Sequence, residues 1–155
     1  MKKELTTEKV LVAYRILGPA KYDKMSDEDK VKVWKIARQM KPIATQFEEE
    51  SKDASEKLKP GDDFVERLQK AQEYERKVKE GDTDGKLPMA PKEYQEFMKE
   101  FQKFQGLVDK AIREFAKKMV SLDFEPLTEE AFGKLMASNS WTSDQTIELG
   151  DILCE

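Results

Sequence analysis

Apolar residues along this chain recur mostly at steps of three and four, the spacing that places them on one face of a helix. The longest such run lies between Ser26 and Leu58. Val33, Ile36/Ala37, Met40, Ala44, Phe47, Ala54 and Leu58 mark a narrow seam, with Ser51 filling one slot. Ser26 suits the N-cap, where its hydroxyl accepts from a free N–H of the first turn. Asp27, Glu28 and Asp29 follow it at the positive end of the helix dipole. Glu28–Lys32, Glu48–Lys52 and Asp53–Lys57 each place an acid one turn before a base on the outer face. Pro42 falls inside the run. It removes one backbone donor and crowds the preceding turn, but the seam keeps its phase across it. The pattern therefore predicts one long second helix, about 27–58, kinked at Pro42.

The same reading predicts five further helices. Thr6 or Thr7 caps a first one that buries Val10, Leu11, Tyr14 and Leu17 and stops at Gly18-Pro19. Lys59-Pro60-Gly61-Asp62 is a turn, after which Phe64, Leu68, Ala71, Tyr74 and Val78 line a third helix. Pro91 suits the first turn of a long fourth helix, about 91–120. Its stripe is the strongest in the chain: Tyr94, Phe97/Met98, Phe101, Phe104, Val108, Ala111/Ile112, Phe115 and Met119. Gly106 sits inside without shifting its phase. Beyond it Val120, Leu122 and Phe124 alternate over an extended stretch that Pro126 closes. Thr128 caps a short helix, and Thr142 with Gln145 has the spacing of a capping box opening the last one.

These elements predict an all-α fold, a helical bundle built on the second and fourth helices. Their seams are long enough to pair antiparallel, with the third helix filling the side. Residues 1–119 form the bundle in this reading. Residues 120–155 form an acidic C-terminal helical subdomain packed on it as one folding unit.

Charge sharpens that division. Of 155 residues, 39% are charged and 38% hydrophobic, which suits long helices with much exposed face. From Val120 onward eight acids face the single base Lys134, so that section is formally −7 within an overall −4. Such a section either docks on the basic part of its own chain or meets a basic partner. Cys154 is the sole cysteine, so no intrachain disulfide forms. The apolar run near the N-terminus is broken by Arg15 and reads as a helix rather than an export signal. No stretch is apolar enough to span a bilayer, so no membrane association is expected.

The chain has no histidine. That removes the commonest general base and transition-metal ligand, and most catalytic triads. Cys154 has no evident base beside it. Glu80, Asp82 and Asp84 stand at alternate positions, with Gly85 sixth and Leu87 eighth, as in a calcium loop. Pro91 occupies the twelfth position, where a bidentate glutamate belongs, so the stretch reads as a turn. Glu48, Glu49 and Glu50 spread around their helix and do not converge. Lys30, Lys32, Lys35, Arg38 and Lys41 form a basic stripe, but acids precede it and the chain is acidic overall. Direct nucleic-acid binding is not expected. No catalytic, cofactor-binding or metal-binding residues are assigned. Trp34 reads as core together with the phenylalanine stripe. Trp141 lies in a polar loop and either caps the bundle or anchors an interface. With Asp144, Glu148 and Asp151 it forms the candidate interface.

The segments LTTEKVLVAYRIL, KVKVWKIARQMKPIATQFEEE, DTDGK, EYQEFMKEFQKF, MVSLDFEPLTEEAFGKL and SWTSDQTIEL, in this order, resemble a set of small helical proteins encoded by tailed bacteriophages and related mobile elements. The resemblance spans most of the chain in hydrophobic spacing and transfers no catalytic residue. It implies a non-enzymatic virion component or assembly factor, placed in the cytoplasm of the bacterial host or in the virion. Its partner is then another protein or a second copy. The acidic end implies the alternative of a small inhibitor that covers a basic surface on a host nucleic-acid-binding or defence protein.

Overall fold

The computed structural model describes residues 1–81 and 85–155. Asp82 and Asp84 of the calcium-like loop lie outside the described residues. The element order is β1 (Lys2–Thr6), α1 (Thr7–Leu17), α2 (Asp27–Lys57), α3 (Phe64–Lys79), α4 (Pro91–Lys117), β2 (Met119–Asp123), α5 (Glu129–Ala137) and α6 (Ser143–Leu153). The chain is mostly helical, as expected, and the helices start where their caps predict. Thr6, Thr128 and Thr142 each accept a bond from the backbone N–H three residues on, and Gln145 completes the capping box at α6. Ser26 Oγ accepts from Asp29 N at 3.2 Å. α2 runs from Asp27 to Lys57 with Pro42 inside it.

The all-α expectation is corrected by a two-stranded antiparallel sheet, β1 against β2, with Lys2 opposite Asp123 and Thr6 opposite Met119. The extended stretch at Val120–Phe124 needs a partner for its backbone groups, and the N-terminal residues supply it. The fourth helix consequently stops at Lys117 rather than near 120. Thr7 binds the Lys118 carbonyl through both its N–H and its hydroxyl, at 2.8 Å each, which fixes the junction between helix and strand.

The ladder alternates in a definite phase. Met1 and Phe124 exchange both backbone bonds, so the odd residues of β1 point their peptide groups at β2 and the even ones point away. By the same register Asp123 points its peptide groups away from β1. They are satisfied by one side chain of α2. Gln39 Nε2 donates to Asp123 O at 2.7 Å, and Gln39 Oε1 accepts from Asp123 N at 3.0 Å. The amide thus pairs with the outer edge of β2 much as another strand would.

Two compact units can be separated. The first comprises Met1–Glu50 with Glu114–Glu155, the second Ser51–Arg113. In the first unit Val10, Ala13 and Leu17 of α1 share one core with Val33, Ile36 and Met40 of α2. Leu122 and Phe124 of the β2 segment, Phe132 and Leu135 of α5, and Leu149, Ile152 and Leu153 of α6 complete it. The seam of α2 is therefore real over Val33–Met40, where it shares this core with α1, α5, α6 and the β2 segment. Further along, Ile43 and Phe47 of α2 line a small cavity of about 40 Å³ with Phe115 of α4.

In the second unit α3 and α4 pack on each other. Phe64, Ala71, Met89 and Phe97 are buried, with Leu68, Tyr74, Tyr94, Met98, Phe101 and Phe104 half-buried around them. The strong stripe of α4 thus finds its main partner in α3, and Phe97 is its one buried residue among those described. Tyr74 and Tyr94 stack with centroids 4.4 Å apart. The Tyr94 hydroxyl donates to the Glu75 carboxylate, and this bond, assisted by partial burial, pushes its pKa up to about 12.

Arg67 ties the same pair of helices together. Its Nη1 and Nη2 reach the two carboxylate oxygens of Glu100 at 2.8 and 3.1 Å, and its guanidinium lies 5.5 Å from the Phe97 ring centroid. Nε lies 3.3 Å from Asp63 Oδ2 but is not aligned for a hydrogen bond. Bonding to Arg67 holds the Glu100 carboxyl below its ordinary value of 4.5. A depressed carboxylate contributes stability above its unfolded value and loses that contribution as pH falls through its folded one. Glu100→Gln is therefore expected to destabilise the chain at pH 7, and the difference from wild type should vanish as urea titrations are taken below pH 4. The effect is about 0.5–1 kcal/mol, since both side chains are about a third exposed to solvent and its screening. A difference that persisted at low pH would assign the loss to packing instead.

Candidate interaction surfaces

The acidic residues singled out from the sequence share one face of α6. Asp144, Glu148 and Asp151 stand at i, i+4 and i+7, all exposed, and Ile147 between them is 61% exposed. Trp141 is placed differently. It is half-buried and packs against the core of the first unit, just before the N-cap Thr142. The structure thus keeps three of the four candidate residues on one exposed face and sends the fourth inward.

The C-terminal end of α6 is closed by a residue far away in sequence. Lys3 Nζ donates to the carbonyls of Asp151 and Ile152 at 2.8 and 2.9 Å, and to that of Cys154. Those carbonyls lack helical donors and carry the negative end of the dipole, so a lysine there both hydrogen-bonds and neutralises. Cys154 next to it is partly buried, and burial raises its thiol pKa against the opposing effect of Lys3. The thiol form is favoured at neutral pH.

Trp34 is the largest departure from the sequence reading. It was expected in the core, yet it is 55% exposed. Val33 and Ile36 on either side of it turn fully inward, which leaves Trp34 on the opposite face of α2. Val31, one turn back, is 48% exposed, and the Arg38 guanidinium lies 5.2 Å from the Trp34 ring centroid. The seam phase contained this signal, because position 34 falls between two seam positions without being one. Elsewhere the basic stripe is partly neutralised: Lys30 is 3.7 Å from Asp27, and Lys32 is 3.4 Å from Glu125.

A third surface is a groove of about 450 Å³ where the end of β1 and the start of α1 face α6. Leu5, Val12 and Ile152 supply apolar walls; Glu8, Glu148 and Asp151 supply carboxylates, and Lys9 a single cation. Among the described residues no helix is long and apolar enough to cross a membrane. No protein-family model matches the chain, and no curated protein or solved structure matches it.

Proposed function

We propose that this chain is a non-enzymatic interaction protein of a tailed phage or related mobile element, serving as a virion component or an assembly factor. The observation that carries the reading is Trp34, exposed on α2 beside Val31 and with Arg38 over its ring. An exposed tryptophan costs solubility, and tryptophan and arginine are the residues that most often concentrate binding energy at interfaces. In this reading α2 is a strut, kinked at Pro42, that presents Trp34 to another protein or to a second copy. The chain works in the host cytoplasm or in the particle.

A photo-crosslinking residue at position 34, in cells making particles, tests this. Crosslinks to a capsid or tail protein, or to a second copy, are expected. Trp34→Ala should lower recovery of the chain with particles or their assembly intermediates at least about tenfold. Failure of position 34 to crosslink any protein overturns the reading.

The second reading is the acidic inhibitor of a basic host protein, and the aligned Asp144, Glu148 and Asp151 favour it. A complex that forms with a monomeric chain and dissolves as ionic strength rises would select it over the first.

A further inference from the structure

Two outer faces of the first unit carry opposite charge around an exposed apolar side chain. On α2, every ionisable residue from Lys30 to Lys41 is a base. Lys30 is taken by Asp27, and Lys32 by Asp29 and Glu125. Lys35, Arg38 and Lys41 are exposed around Trp34 and Val31. Beside Lys41 a groove adds Arg15 and Glu48, whose charges cancel. On α6, every ionisable residue is an acid, and Asp144, Glu148 and Asp151 surround the exposed Ile147. Next to them α1 adds Glu8 and Lys9, and Lys3 lies on the carbonyls at the helix end. Four carboxylates there stand against two lysines. None of Lys35, Arg38, Lys41, Asp144, Glu148 and Asp151 forms an ion pair among the described residues. Val33, Ile36 and Met40 of α2 are buried in one core with Leu149, Ile152 and Leu153 of α6, so both charged faces turn away from that core.

We infer that the partner of the Trp34 surface is a second copy of this chain, whose α6 face it meets head to tail. This rests on reading Trp34 as an interface residue and names what it binds. The Trp34 ring packs on Ile147 of the next copy, with Lys35, Arg38 and Lys41 against the acids of that α6. The two charged rows match in length, about 9 Å along α2 and about 10.5 Å along α6 at the usual helical rise. Charge selects this pairing over a symmetric one, since two α2 faces would set bases on bases and two α6 faces acids on acids. The contact joins different patches, so each copy carries on to another, and the series closes into a ring or runs on as a filament.

Sedimentation of the purified full chain over a concentration series tests this. Oligomers that grow with concentration at low salt and dissolve at high salt are expected. Trp34→Ala should weaken association at least about tenfold. The variants K35E/R38E/K41E and E148K/D151K should each fail to self-associate, because each then carries like charge on both faces. Their equimolar mixture should associate again, since the first keeps the native α6 face and the second the native α2 face. Rescue in the mixture also shows that both variants are folded. A photo-crosslinking residue at position 34 of the purified chain, with all charges native, should attach to α6 of another copy even if a charge variant misfolds. A chain that stays monomeric throughout overturns the proposal, while crosslinks from position 34 to a capsid or tail protein would leave the Trp34 surface standing. Oligomers that E148K/D151K leaves intact overturn it too, by giving the association to another contact.

Discussion

Phe64→Ala is expected to destabilise the second unit by about 3–5 kcal/mol, the usual cost of emptying a buried phenylalanine site. Phe64 is 2% exposed at the first position of α3. Its ring centroid lies 4.8 Å from that of Phe104, 5.7 Å from Phe97 and 6.2 Å from Phe101. Three aromatic rings of α4 thus converge on one side chain of α3. The unit has little else to compensate, since the other buried residues of this cluster are Ala71, Met89 and Phe97. Arg67 packs on Phe97 as well, so a shift of that ring also disturbs the Glu100 pair. A loss of this size is a large fraction of a typical domain's whole stability. Urea unfolding followed by far-ultraviolet circular dichroism should show a lower midpoint and an early loss of helicity. Both tryptophans belong to the first unit, so their fluorescence reports on that unit separately. A change below about 1 kcal/mol would show that the ring cluster is not what holds α3 to α4.

The helices were legible because their information is local. A cap such as Ser26 or Thr142, a breaker such as Gly18-Pro19, and a seam at steps of three and four all act within a few residues, and all were found where the pattern placed them. What the pattern did not carry is which seam meets which. The α2 and α4 stripes have matching lengths and invited pairing, but apolar spacing records only that a face is buried. The packing of α3 on α4 rests on chemistry across that interface: Phe64 under three rings, Tyr74 on Tyr94, and Arg67 on Glu100. The sheet was missed for the same reason. Val120–Phe124 announced an extended segment, while its partner Lys2–Thr6 lies over a hundred residues earlier and carries only Leu5 as an apolar marker. The candidate surfaces divide along this line. The face formed by Asp144, Glu148 and Asp151 is helical periodicity and was readable. Trp34 departs from its reading because an apolar helix is no guide to which of its faces a side chain takes, and it points out; Trp141, which the sequence leaves open between capping the bundle and anchoring an interface, packs inward. Lys3 on the end of α6 and Gln39 on the strand edge connect residues 148 and 84 positions apart in the chain, and no sequence period reports such contacts.

Pro42→Ala is expected to stabilise the chain by about 1–2.5 kcal/mol. Proline inside a helix costs about 3 kcal/mol relative to alanine, because it lacks the N–H owed to the carbonyl four residues back and its ring crowds that carbonyl. Here the carbonyl is that of Arg38, in the turn that carries the Trp34 surface. The side chain of Pro42 is exposed, while Met40 and Ala44 on either side are buried, so alanine gives up no core contact. Two effects reduce the gain. Arg38 and Pro42 are exposed, so water can reach the freed carbonyl and recover part of the lost bond. Alanine also releases the unfolded chain from proline's restriction, which returns about 0.4–1 kcal/mol. The net change should raise the thermal midpoint by about 2–10 °C, at roughly 2–4 °C per kcal/mol for a chain of this size. Hydrogen exchange should find the new amide at position 42 protected and its neighbours slower than in wild type. Function discriminates further. If the bend at Pro42 aims Trp34 at its partner, the more stable variant should associate with particles less well than wild type, the reverse of its stability ranking. A lowered midpoint would mean that the proline is a packing requirement of the first unit, needed for α2 to bury Val33–Met40 together with Ile43 and Phe47.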